Sequence, residues 1–313
     1  MRWVRLPSNG RYAPSPTGDL HLGNLRTAML AWAIARRSGA GFVMRMEDLD
    51  ERVRPEFYGR QLEDLAALGI DWDSLVYQSE RQAAYDAAFE SLQARGLLYE
   101  CYCTRKELAQ VASAPHRPPG SYPGTCRNLT EAEREAGRAK LAGTNRGPAL
   151  RVKTDVRELT VVDEIMGIYT GAVDDFVIRR GDGVYSYNFV SVFDDDDESI
   201  TQITRGNDLL PSTPRQVYLQ QLMGMATPKY YHVPMVFNAE GVRLAKRDGA
   251  VTMRALAEFG WESGDVAELI GRSLRLEGVR SASDLPPVQS LGSEPWLVDP
   301  KELEAGPRAV LRR

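Results

Sequence analysis

Apolar residues fall at Leu22, Leu25, Met29 and Ala33, steps of three and four that predict an amphipathic helix over residues 22–38. Ser38-Gly-Ala-Gly41 reads as its stop, and Phe42-Val-Met-Arg-Met46 as a short buried strand. A second helix is expected over 55–68. It has Pro55 in its first turn, Leu62, Leu65, Ala66 and Leu68 on its buried side, and Gly69 at its end. A third runs from Gln78 to Arg95, with Gly96 as its stop. Strand and helix in alternation predict a doubly wound parallel sheet.

The middle of the chain breaks that alternation. Segments 147–153, 159–163, 167–171 and 175–179 alternate like short antiparallel strands, after a charged, alanine-rich helix expected over 128–142. The α/β pattern resumes with a helix from Thr213 to Met225, a strand-like run over 230–237 and one or two helices over 255–274. The expected units are therefore 1–98 (first half of the sheet domain), 99–182 (an insertion), 183–238 (second half) and 239–313 (a small helical module).

Composition narrows the class. A chain of 313 residues has ample core for one large domain or two to three small ones. No apolar run is long enough to span a bilayer, and Met1–Pro7 lacks the apolar stretch of a secretory signal. A cytoplasmic protein without membrane contact, acting as a monomer, is the default expectation. The formal charge of −4 excludes the strongly basic footprint of a dedicated nucleic-acid binder. Any RNA contact then has to come from local patches such as Arg36-Arg37, Arg179-Arg180 and Arg312-Arg313.

The residues before the first helix carry the candidate chemistry. Arg11-Tyr-Ala-Pro-Ser-Pro-Thr-Gly-Asp-Leu-His-Leu-Gly-Asn24 reads as strand, tight loop and helix start. Such a loop offers backbone N–H groups and the positive end of a helix dipole to phosphate. Gly18 and Gly23 allow close approach, and His21, one of three histidines, is placed to donate to a phosphoryl group. The plainer alternative is a turn in which Thr17 or Asp19 caps the helix and His21 is solvated.

Cys101, Cys103 and Cys126 are too few for a disulfide framework but need only one more ligand for a closed tetrahedral zinc site of structural type. His116 and Tyr122 are both candidates. Chemistry alone prefers the imidazole, because a phenol with a free pKa of about 10 must lose its proton to bind.

The 11–24 string resembles the first signature of class I aminoacyl-tRNA synthetases, and within them the glutamyl branch. Arg45-Met-Glu-Asp-Leu-Asp50 resembles their R-I-E-D-T-D segment. Ile70-Asp-Trp-Asp73 resembles their L-G-x-x-W/Y-D turn. Gly181–Phe189 and Ser199–Gln216 resemble two segments of the second half, and Arg243-Leu-Ala-Lys-Arg247 resembles the second signature, K-M/L-S-K-R. In that signature Arg243 replaces a lysine and Ala245 a serine. The cysteines resemble the C-x-C…Y-x-x-x-C of the zinc-bearing members, matched by Cys101, Cys103, Tyr122 and Cys126. A departure lies at Phe193-Asp-Asp-Asp-Asp-Glu-Ser199, where the family pattern is V-D-D-x-x-x-G. Asp196, Asp197 and Ser199 do not fit it, and a solvated acidic turn is the simplest reading.

The resemblance implies a fold and a site. The fold is a Rossmann-like parallel sheet with a zinc-bearing α+β insertion and a small C-terminal helical stem-contact module, without an anticodon-binding domain. Glutamate is held by Arg11, Tyr12, Ala13, Pro14, Ser15, Glu47, Tyr187 and Arg205. Glu47 faces the amino group, and Arg205 pairs with the side-chain carboxylate. ATP, with Mg2+, is held by Thr17, His21, Gly23, Asn24 and Lys246; His21 and Lys246 are the catalytic pair, and Lys246 neutralises the triphosphate as pyrophosphate leaves. One Zn2+ is structural. For Arg205 the plainer alternative is an ion pair with Asp194 or Asp208, and for Tyr187 an ordinary core aromatic.

Only residues 251–313 follow the second signature. On this ground the chain resembles the short paralogues of glutamyl-tRNA synthetase, which activate glutamate without tRNA and transfer it to queuosine in the anticodon of tRNA(Asp). A truncated enzyme charging the 3′ end of tRNA, or a non-catalytic zinc-stabilised RNA-binding paralogue, are the alternatives.

Overall fold

Strand β1 (Asn9–Tyr12) lies beneath helix α1 (Leu22–Arg37) so closely that a Cβ on Gly10 would stand 2.6 Å from the Cβ of Ala35. Leu22, Leu25, Ala28, Met29 and Ala33 of α1 are fully buried, which is the face its apolar spacing predicted. The computed structural model that shows this describes residues 8–104, 106–108, 121–244, 251–287 and 294–312.

From α1 the chain forms β2 (Gly41–Met46), α2 (Glu56–Ala67), β3 (Ser74–Tyr77), a 3-10 turn over Gln78–Glu80 and α3 (Gln82–Ala94). Then come β4 (Leu98–Cys101), α4 (Glu131–Leu141), β5 (Ala149–Val152), β6 (Glu158–Asp163), β7 (Gly167–Ala172) and β8 (Val177–Arg179). The second α/β half is α5 (Tyr187–Asp197), β9 (Ile200–Gly206), α6 (Thr213–Met223) and β10 (Lys229–Val233). A short strand β11 (Val236–Phe237), α7 (Met253–Ala257), α8 (Ser263–Ser273), β12 (Trp296–Leu297) and two short terminal helices complete the described chain.

The main sheet has the order β3-β2-β1-β9-β10-β6-β7. All neighbours are parallel except the β6–β7 hairpin. The chain winds outward from β1 through β2 to β3, then returns to lay β9 and β10 on the other side of β1. Strand order therefore reverses between β1 and β9, and ligands in open parallel sheets bind at such a reversal, beyond the carboxyl ends of the strands. Between the halves, β4, β5 and β8 form a separate antiparallel sheet. The β6–β7 hairpin, although inside segment 99–182, extends the main sheet instead. Its Asp163 sits opposite Tyr230 and accepts the backbone N–H of His232, which ties the hairpin to β10.

The acidic run is not a solvated turn. It is the last turn of α5, and Asp194 and Asp195 are buried. Asp195 binds Arg11 at 3.1 Å and Arg45 at 2.8 Å; Glu198 binds Arg45 at 2.9 Å; Asp194 binds Arg81 at 2.7 Å and accepts from Gln78 and Tyr85. Only Asp196 and Asp197 face solvent, and Asp197 pairs with Arg81. Ser199, where the family pattern has glycine, holds φ at 55°, the left-handed region. Arginines from β1 and β2 need buried counter-charges, and the end of α5 supplies them. Among the described residues no helix is long and apolar enough to cross a membrane.

Candidate functional site

A cavity of about 650 Å3 opens at the carboxyl ends of β1, β2 and β9, where the strand order reverses. Arg11, Tyr12, Ala13, Pro14 and Ser15 line it from β1 and the loop after it. Glu47 enters from the end of β2, Arg205 from the end of β9, and Tyr187 from the first residue of α5. Thr17, His21, Gly23 and Asn24 line the same cavity at the start of α1. Of the site residues expected from sequence, only Lys246 lies outside the described residues, as does Ala245 of the same signature.

His21, rather than Thr17 or Asp19, is the N-cap of α1. Its Nδ1 accepts from the N–H groups of Gly23 (3.1 Å) and Asn24 (3.3 Å), and Asn24 Oδ1 accepts the His21 N–H in return. An Nδ1 that accepts puts the ring proton on Nε2, so the cap also sets the tautomer that can donate to a phosphate oxygen. A Cβ on Gly23 would stand 3.0 Å from the His21 ring, so glycine here gives the cap its room. Gln61 of α2 fastens the loop by donating to Gly18 O at 2.7 Å and Ser15 O at 3.1 Å. Before the second signature's undescribed residues the chain is tied to β11, and after them, through Val251 and Thr252, to the same helix start. Leu244 N–H donates to Val236 O, Leu22 N–H donates to Val251 O, and His21 and Thr252 form a β-bridge.

The side of the cavity expected to take glutamate is organised by two buried arginines of different kinds. Arg11 is neutralised by Asp195. Arg205, 5% exposed, is not: no carboxylate among the described residues lies within ion-pair distance of it. Its Nε–H donates to His232 Nε2 (3.0 Å), and its two amino groups donate to Tyr187 Oη (3.2 Å) and Thr213 Oγ1 (2.9 Å). Both plainer alternatives fall. Asp194 pairs with Arg81 and Asp208 with Arg243, while Tyr187 is a partner of Arg205. Glu47 stands 3.7 Å from Arg45. Burial pushes its pKa above the ordinary carboxylate value, against the opposing pull of Arg45 and Arg11.

Away from the cavity, Cys101, Cys103 and Cys126 bring their sulfurs within 4.8 Å of one another. Cys103 and Cys126 are 3.6 Å apart, and Tyr122 Oη lies 3.4 Å from the Cys101 sulfur and 3.9 Å from that of Cys103. A tetrahedron with metal–sulfur bonds of about 2.3 Å has edges of about 3.8 Å, so these four atoms fit one zinc ion. Arg151 lies over the Tyr122 ring, 3.7 Å from its centroid, and Cys126 N–H donates to the phenol oxygen; burial and the neighbouring thiols nevertheless hold the phenol well above its ordinary pKa, so it would bind as phenolate only by giving its proton up to the metal. His116, the alternative ligand, lies outside the described residues.

Residues 9–292 match the family described as tRNA synthetases class I (E and Q), catalytic domain. The chain is 51% identical to the glutamyl-Q tRNA(Asp) synthetase of Nocardia farcinica, over 92% of each. It is 42% identical to that of Symbiobacterium thermophilum, over 88% of this chain and 91% of the relative. The chain belongs to the glutamyl-Q tRNA(Asp) synthetase family. The glutamate–tRNA ligase of Aquifex aeolicus is 40% identical over 80% of this chain, which spans only 54% of that ligase. The fold matches the glutamate–tRNA synthetase structure from Elizabethkingia anophelis with a TM-score of 0.79, covering 95% of this chain and 69% of that one.

Within this family frame, the described residues named from sequence for glutamate and ATP all line one cavity, Lys246 lying outside the described residues, but the groups behind Arg205 were not singled out. His232 and Asp163 lie in segments read only for their secondary structure, and Thr213 lies in the matched 199–216 segment without having been singled out. The signal available was that His232 is one of only three histidines, between the aromatic pair Tyr230-Tyr231 and Val233 of a strand. Two of the arginine pairs considered for RNA are engaged internally. Arg36 pairs with Asp71 and Asp73, Arg37 donates to Leu285 O and Ser283 O, and Arg180 pairs with Asp182.

Proposed function

We infer that this chain is an ATP-dependent ligase that activates L-glutamate and transfers it to queuosine in the anticodon of tRNA(Asp). The observation that carries the amino-acid half is Arg205, a buried guanidinium facing a cavity without a carboxylate partner among the described residues. An uncompensated buried cation is costly, and a substrate carboxylate supplies the missing charge. The tRNA half rests on the relatives' names, which hold over nearly the whole length of each protein.

In the first step a glutamate α-carboxylate oxygen attacks the α-phosphorus of ATP. The bond to the bridging oxygen breaks and pyrophosphate leaves, giving glutamyl-adenylate. No enzyme nucleophile is needed, so catalysis is positioning and charge stabilisation. His21 donates from Nε2 to the phosphates, with the positive end of the α1 dipole behind it, because the N–H groups of that first turn are taken up by His21 and Val251; Lys246 supplies positive charge against the triphosphate. Arg205 and Tyr187 hold the side-chain carboxylate, and ionised Glu47 faces the ammonium. Mg2+ arrives with the phosphates of ATP. In the second step a hydroxyl of the modified base attacks the acyl carbon, and AMP leaves. One zinc ion held by Cys101, Cys103, Cys126 and Tyr122 braces the insertion and takes no part in the chemistry.

The test is glutamate-dependent ATP–pyrophosphate exchange without tRNA, followed by transfer of labelled glutamate to tRNA(Asp) with and without queuosine. Exchange without tRNA, and labelling that needs queuosine but survives removal of the 3′ adenosine, is the expected result. Exchange that requires tRNA would favour a truncated enzyme charging the 3′ end, and absence of exchange would leave a non-catalytic RNA-binding paralogue.

A further inference from the structure

Behind Arg205 lies a hydrogen-bonded line with almost no solvent access. Asp163 Oδ1 accepts the N–H groups of Ile165 (2.9 Å) and Met166 (2.7 Å), and Oδ2 stands 2.6 Å from His232 Nδ1. On the other side of the ring, Nε2 faces Arg205 Nε at 3.0 Å. Asp163 and His232 are 2% and 0% exposed. A guanidinium has no lone pair to offer, so Nε2 must be the acceptor, and the ring proton must sit on Nδ1, facing the carboxylate. Burial also lowers the His232 pKa, outweighing the raising effect of Asp163, which favours the neutral ring this pattern requires.

We propose that Asp163 and His232 are positioning residues for the glutamate site: by fixing one imidazole tautomer they clamp Arg205 through Nε, so that its amino groups, each with one N–H on Tyr187 or Thr213, keep their remaining N–H bonds for the substrate carboxylate. The ion that sets the tautomer comes from the β6–β7 hairpin, so a strand pair from the insertion orients the arginine of the catalytic sheet. The clamp also bears on selectivity. Tyr187 Oη, which lines the cavity, takes a guanidinium proton and so keeps its own O–H for the ligand, whereas Thr213 Oγ1, fully buried and 3.2 Å from Nε2, belongs to the clamp. A carboxylate satisfies donors on both its oxygens, whereas the NH2 of glutamine meets them donor to donor.

This inference rests on the reading that Arg205 holds glutamate, and the experiment separates the two. Glutamate-dependent ATP–pyrophosphate exchange is measured without tRNA on the full chain and on Arg205→Met, His232→Leu, His232→Gln and Asp163→Asn. Arg205→Met tests the underlying reading; if its KM for glutamate stays within twofold of the parent, that reading fails. Asp163→Asn is nearly isosteric and still accepts from Ile165 and Met166. Its amide, at the Oδ2 position, donates toward Nδ1, moves the ring proton to Nε2 and sets it against Arg205; it also loses the bond that Oδ2 accepts from the His232 backbone N–H, so its Tm is recorded beside the kinetics. We expect the KM for glutamate to rise at least tenfold in Asp163→Asn and His232→Leu, with kcat and the KM for ATP within about threefold. His232→Gln, whose carbonyl oxygen can replace Nε2 as acceptor, restores most of the affinity. The 15N shifts of His232 report the tautomer directly: Nδ1–H in the parent and Nε2–H in Asp163→Asn. An Nε2–H tautomer in the parent overturns the proposal. So does an unchanged glutamate KM in Asp163→Asn while Arg205→Met is impaired.

Discussion

Replacing Asp195 by asparagine tests whether the acidic end of α5 is built into the site. Asp195 is 2% exposed and accepts three guanidinium bonds: from Arg11 Nε (3.1 Å), from a second Arg11 nitrogen (3.4 Å) and from Arg45 (2.8 Å). Arg11 and Arg45 are themselves 3% and 0% exposed. Removing one partner of such a cluster leaves buried charge uncompensated, at about 3–5 kcal/mol. Asparagine keeps one acceptor oxygen. Losing the Asp195 charge also lets Glu47 and Glu198, whose pKa values it raises, ionise more readily. Both effects put the net cost at the lower end, about 3 kcal/mol. At roughly 2 °C per kcal/mol for a chain of this size, Tm falls by about 6 °C. The assay is thermal unfolding of Asp195→Asn beside Asp196→Asn, whose exposed side chain predicts a change within about 0.5 kcal/mol. Because Arg11 also lines the cavity, the KM for glutamate should rise in Asp195→Asn alone. Equal Tm values for the two variants would refute the reasoning and return this run to a solvated turn.

The remaining expectations are checked by equally direct measurements. Ser199→Gly removes a non-glycine residue from the left-handed region and should stabilise the chain by about 0.5–1 kcal/mol, read as a Tm rise of one or two degrees. The purified chain should carry one zinc per molecule by elemental analysis. Cys103→Ser should lose that zinc and lower the melting transition, while Tyr122→Phe, which removes only the phenol oxygen, should weaken retention against a chelator. Glu198 is raised to about 7, by burial above all, so it binds its proton more tightly folded than unfolded. Its contribution to stability is therefore largest below the unfolded value and is lost as pH rises through about 7; urea midpoints should fall from pH 6 to pH 8, less so in Glu198→Gln. Glu47, also raised by burial, must be ionised to hold the ammonium. The KM for glutamate should thus climb as pH is lowered, and begin to do so at a higher pH than an ordinary carboxylate would give, with the KM for ATP following less steeply.

Much of this protein was legible along the chain because its chemistry is local. The period of α1 requires one buried face, His21 and Gly23 at its start stand out within three residues (although the cap itself was expected from Thr17 or Asp19), and Cys101 and Cys103 are neighbours on one short segment. Glu47 was placed only through the resemblance of Arg45–Asp50 to the family segment, since by itself an acidic stretch just past a strand reads equally as a solvated turn. What the tertiary structure alone decided concerns groups whose partners lie far away in sequence. The aspartates at 194 and 195 read as a polar turn until β1 and β2 brought Arg11 and Arg45 against them, because a carboxylate's burial depends on a counter-charge that local pattern does not reveal. His232 looked like one polar residue in a strand until β9 set Arg205 on one side of its ring and the β6–β7 hairpin set Asp163 on the other. Sequence named the residues that line the cavity; the order of the strands determined which residues hold them in place.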